Sequence, residues 1–72
     1  MTKYLIVIEK TETGFSAYSP DLLGCVSTGQ TRAEVERNMR EAIEFHIDGM
    51  QEEGYPIPKP TAESAYLEVA PL

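Results

Sequence analysis

The chain has 72 residues, with 12 acidic and 6 basic side chains and a formal net charge of −6. That length allows one domain. The charge disfavours nucleic acid, because such a chain repels phosphate and its basic residues form no stripe. The lone Cys25 excludes an intramolecular disulfide framework, and no Cys/His cluster has metal-ligand spacing. The longest apolar run, residues 4–8, falls far short of the ~20 residues that span a bilayer. With no signal-peptide layout at the N-terminus and a free thiol, the expected location is the cytoplasm. A domain of this size buries only about 60% of its unfolded surface, so association is a natural source of added stability.

Residues 3–10 (KYLIVIEK) are apolar on both parities, with Tyr4, Ile6 and Ile8 on one and Leu5 and Val7 on the other. That pattern predicts a strand covered on both faces. Thr11-Glu12-Thr13-Gly14 reads as a turn, with Gly14 available for positive φ. Residues 15–19 (FSAYS) form the return strand of a hairpin. Pro20 stops ladder pairing, and Asp21 and Gly24 suit a loop. Residues 25–28 then make a short third strand at the sheet edge.

Thr31-Arg32-Ala33-Glu34 has the capping-box form that opens a helix, and Gly54 is placed to end it. Between them Val35, Met39, Ala42, Ile43, His46, Ile47 and Met50 fall within an arc of roughly 140° on one packing stripe. The opposite face carries the i,i+4 pairs Arg32–Glu36, Arg40–Glu44 and Arg37–Glu41. Three alternating prolines hold Tyr55-Pro56-Ile57-Pro58-Lys59-Pro60 extended. Residues 65–69 (AYLEV) alternate as a fourth strand.

The expected fold is α+β in the order β-β-β-α-β, a mixed four-stranded sheet with one helix on one face. It forms a single domain over residues 1–72. One helix covers one face, yet the first strand is apolar on both. Burying each such side chain contributes about 1.5–3 kcal/mol, so a second copy or a partner is expected on the bare face. The candidate interface residues are Tyr4, Ile6, Ile8, Phe45 and Tyr66. Phe45 enters because it points about 125° away from the centre of the helix stripe.

No motif carries chemistry. Residues 24–31 (GCVSTGQT) have the outline of a phosphate-binding loop, but Gln30 replaces the lysine that reaches the phosphates. His46 is the only histidine and lacks a partner for acid–base work. Cys25 reads as a small hydrophobe. The carboxylates sit on turns and helix surfaces, and the first strand has none before Glu9, so no two-metal centre is expected. No catalytic residue, cofactor or metal is assigned, and the chain is read as a non-enzyme.

The string YSPDLLGCVSTGQT, residues 18–31, resembles the signature of HicB-type antitoxins: a hairpin strand, a Pro-Asp-Leu-x-Gly-Cys loop, a short strand, and Gly-x-Thr opening a helix. The apolar first strand and the GYPIPKP stretch at residues 54–60 match in kind and order. The resemblance implies a truncated ribonuclease H-like domain that oligomerises and neutralises a small basic RNA-cleaving toxin, HicA, in a prokaryotic toxin–antitoxin system. Leu23 and Gln30 stand where the family commonly has a proline and an acidic residue. The helix-turn-helix or ribbon-helix-helix domain that many relatives carry after this region is not expected here, so direct DNA binding is not either. Two other functions fit the residues: a solitary oligomeric adaptor or scaffold without a toxin, and, less favoured, a small nuclease or nucleotide-binding enzyme.

Overall fold

The computed structural model describes residues 2–71. Three strands, β1 (Val7–Lys10), β2 (Phe15–Tyr18) and β3 (Val26–Gly29), precede one helix, α1 (Arg32–Glu52). The sheet is antiparallel in the order β1-β2-β3, with Ile8 opposite Ala17 and Ala17 opposite Ser27. The α+β class and the order of these four elements follow the sequence pattern. The sheet has three strands and is not mixed, because residues 65–69 join no ladder.

The hairpin closes with the Thr11 amide donating to the Gly14 carbonyl at 2.8 Å. Gly14 does not take the expected positive φ. A side chain there would strike the Gly29 carbonyl oxygen, so the glycine is needed for closeness and not for handedness. Gly29 meets the same constraint from the other side. A Cβ on it would lie 2.6 Å from the Val35 amide nitrogen. Turn, strand end and helix start are thus packed backbone to backbone, and residues 24–31 fold as a strand and a helix cap, not as a phosphate cradle.

Helix α1 begins where the cap predicts. The Glu34 amide donates to Thr31 Oγ1 at 3.0 Å, but the Glu34 carboxylate accepts from the Gln30 amide at 2.8 Å, one residue before the N-cap. Its end is a Schellman turn: Gly54, at φ 73°, donates to the Gln51 carbonyl and Tyr55 to that of Met50. Of the expected surface ion pairs, Arg32–Glu36 forms at 3.3 Å.

The core is small. Ala17, Leu22, Cys25, Val35 and Met39 are buried, and Tyr4, Ile6, Ile8, Phe15, Ala42 and Ile43 pack around them. Tyr4, Ile6 and Ile8 therefore lie on the helix-covered face, which corrects their assignment as a free interface. Val7, Tyr18 and Val26 stand opposite one another on the other face, and by strand alternation Leu5 joins them. Tyr18 and Val26 are exposed.

A 21-residue helix is about 31 Å long, whereas four-residue strands reach only about 13 Å. The helix overruns its sheet. Val35 and Met39 are fully buried, but His46, Ile47 and Met50, further along the same stripe, are only half-buried. Gly29→Ala should destabilise the fold by about 1–3 kcal/mol, because the backbones it separates cannot relax independently. A lower urea midpoint with an unchanged m-value would register it.

Candidate functional site

Two surfaces emerge from this geometry, and one loop builds both. In the loop after β2, the Leu22 amide donates to the Ser19 carbonyl at 3.2 Å and the Cys25 amide to that of Leu22 at 3.1 Å. These bonds turn the chain so that Leu22 and Cys25 enter the core while Leu23 stays exposed. The Ser19 hydroxyl is buried and donates to the Leu5 carbonyl at 3.0 Å. Asp21 reaches outward. Its carboxylate accepts from the Thr61 amide, the Thr61 hydroxyl and the Ala62 amide at 3.1–3.2 Å. The Tyr4 hydroxyl adds a bond to the Pro58 carbonyl at 2.6 Å. The proline-rich connector is thus strapped across the end of the sheet. Sequence reasoning gave Asp21 and Leu22 only a turn role, since neither a 40-residue hydrogen bond nor a core contact from a loop leaves a local pattern.

The first surface lies where α1 overruns the sheet. An open groove of about 450 Å³ runs between the loop and the helix, lined by Val26, Ala42, Phe45, His46, Met50 and Tyr55. Its ridge is Phe45, 82% exposed. The helix segment beside it, residues 41–53 (EAIEFHIDGMQEE), carries Glu41, Glu44, Asp48, Glu52 and Glu53 and no lysine or arginine. The last turn holds no cation, although helix carbonyls favour positive charge there. This concentration of carboxylate opposes the helix it sits on. It is suited to meeting positive charge from outside.

The second surface is the chain beyond the strap. Residues 63–71 are exposed throughout, and Tyr66 at 105% touches essentially nothing. Of the five candidate interface residues, the structure leaves Phe45 and Tyr66 free, on different surfaces, and turns Tyr4, Ile6 and Ile8 inward.

Cys25 and His46 both border the groove. Burial pushes the Cys25 thiol pKa up, which disfavours the thiolate that nucleophilic chemistry needs. Among the described residues, no group of three or more His, Cys, Asp or Glu side chains could share a metal ion, and no helix is long and apolar enough to cross a membrane. What the surfaces offer is exposed apolar contact at Phe45, Tyr66, Leu67 and Val69.

A family model described as the HicB-like antitoxin of bacterial toxin–antitoxin systems matches residues 4–70. The chain belongs to the HicB-like antitoxin family. Among solved structures, this HicB-like chain superimposes on one from a "HicA3 and HicB3 toxin-antitoxin complex" with a TM-score of 0.73 and 42% identity. That match covers 83% of this chain and 70% of the other. An antitoxin HicB3 crystal structure matches with a TM-score of 0.71 and 42% identity, over 83% of this chain and 44% of that one. A 14.9 kDa protein from the rep–hol intergenic region of Haemophilus phage HP1 is 42% identical over 64 residues, 89% of this chain and 48% of its own length. The chain thus spans about half the length of that relative.

Asp21→Ala should release the strap, seen as faster amide hydrogen exchange at Thr61 and Ala62 with little change in the sheet amides. Cys25 supplies a pH test. A folded pKa raised above the unfolded 9.0 leaves stability intact below that value and removes it as pH rises through the folded pKa. Wild type should therefore lose more of its urea midpoint than Cys25→Ala between pH 7 and about pH 10.

Proposed function

We propose that this chain is an antitoxin that neutralises a small basic HicA-type toxin by binding it, with no catalytic step of its own. The observation that carries the reading is the family match across residues 4–70, together with the likeness to a chain of the HicA3–HicB3 complex. The charge of the helix agrees with it. An exposed Phe45 on a helix end that carries five carboxylates and no lysine or arginine over residues 41–53 suits a partner that offers an apolar pocket and a cationic surface. Covering the toxin's cationic, RNA-facing surface would then be enough to silence it.

The reading accounts for charges that the fold does not need. Acidic residues at the C-terminal half of a helix work against its dipole, and a bound cationic protein relieves that repulsion. Complementary charge of this kind speeds encounter and weakens as salt rises.

Co-expression with a small basic protein sought in the reading frames beside this chain tests the proposal. The two should co-purify, and the chain should relieve the growth arrest that the basic protein causes. Phe45→Ala should weaken the complex by about 30-fold, as expected of a central aromatic anchor, while leaving the free energy of unfolding in urea within about 0.5 kcal/mol of wild type because the side chain is exposed. Failure of any basic partner to co-purify, with arrest unrelieved, would exclude the antitoxin reading.

A further inference from the structure

Two stretches of this chain have the composition of β-strands and no strand to pair with. Residues 3–6 (KYLI) continue β1 backwards, yet they lie outside the ladder. The reason is local. Their neighbour β2 ends at Tyr18, the Ser19 amide is taken by the Cys25 carbonyl, and Pro20 has no amide to give. Residues 65–69 (AYLEV) alternate in strand fashion and are likewise unladdered. Tyr66, Leu67 and Val69 are 105%, 85% and 73% exposed.

The two stretches cannot readily meet within one chain. Asp21 holds Thr61 and Ala62, and residues 59–63 already lie around an open groove beside Thr2 and Lys3, past the start of β1. To run back along β1, the chain would have to reverse within Ala62-Glu63-Ser64. Instead it leaves the body. The molecule measures 49 × 27 × 21 Å, with a radius of gyration of 14.2 Å, against about 11 Å for a compact chain of this length. An unpaired apolar segment standing off the surface is a strand without a sheet.

The sheet offers one suitable edge. At β3, Asn38 of α1 donates to the Thr28 carbonyl at 2.9 Å, so a helix side chain already engages that strand. At β1, no strand or helix among the described residues bonds the outer side. On the open face beside it lie Leu5, Val7 and Tyr18, which the helix does not cover.

We propose that two copies exchange strands, residues 65–69 of each adding to the free β1 edge, residues 3–8, of the other. Each copy then has the fourth strand that its own tail cannot supply. Tyr66, Leu67 and Val69 gain neighbours on the partner's sheet, and the ladder is extended past Val7 towards Lys3. The exchange is isologous, since each chain gives and receives the same element. It requires no toxin, so it stands or falls separately from the antitoxin reading.

The decisive experiment mixes two preparations of the full chain. One is spin-labelled at Glu68→Cys in a Cys25→Ala background, and the other is ¹⁵N-labelled wild type. The expected result is a particle of twice the 8.0 kDa chain mass in which the amides of residues 3–8 of the ¹⁵N copy are broadened by the partner's label. Leu67→Pro, which removes a ladder amide from a segment that touches nothing in the monomer, should weaken the dimer by at least about tenfold. A monomer at high micromolar concentration overturns the proposal. So does a dimer whose broadening falls on the partner's tail instead of residues 3–8, or one that Leu67→Pro leaves unchanged.

Discussion

Everything in this molecule hangs on the contact between the first two turns of α1 and the sheet. Val35 and Met39 reach complete burial only because Gly29 lets the β3 backbone come within van der Waals distance of the helix start. Leu22 closes the core from the side, delivered by a loop whose own hydrogen bonds hold it in place. Such a core is about as small as an independent domain can sustain. Its economy has a geometric result. The ladder ends long before the helix does, and the surplus helix becomes surface.

That surplus explains why the apolar stripe continues beyond the sheet. His46, Ile47 and Met50 keep the periodicity of a buried face, and the Schellman turn brings Tyr55 back towards Met50. The groove is therefore a continuation of the core into solvent, walled by the loop on one side and Phe45 on the other. Glu53 lines it, and the last turn of the helix carries no cation.

Much of the fold was legible because its signals are local. The hairpin, the cap at Thr31, the stripe from Val35 and the glycine stop at Gly54 each depend on residues a few positions apart. The errors were all non-local. Parity alone could not say which side of the first strand the helix would take, so Tyr4, Ile6 and Ile8 were placed on the wrong face. The alternation of residues 65–69 predicts a fourth strand, but these residues join no ladder, and the bonds of Asp21 to Thr61 and Ala62 direct the chain away from the sheet. The exposure of Phe45 was legible from its angle on the helical wheel, whereas the groove beside it was not. That groove depends on relative lengths of helix and sheet that no single segment encodes.

The order in which the contacts are joined has a kinetic meaning. Each strand pairs with its immediate neighbour in sequence, and the helix packs on the two strands that precede it. Loop closures are short, so the body can assemble from local encounters in a fast unimolecular step. Residues 63–71 contribute nothing buried to that body and need not be in place for it to form. Folding of the body is thereby set by the chain alone, whereas the proposed strand exchange would depend on how many chains are present.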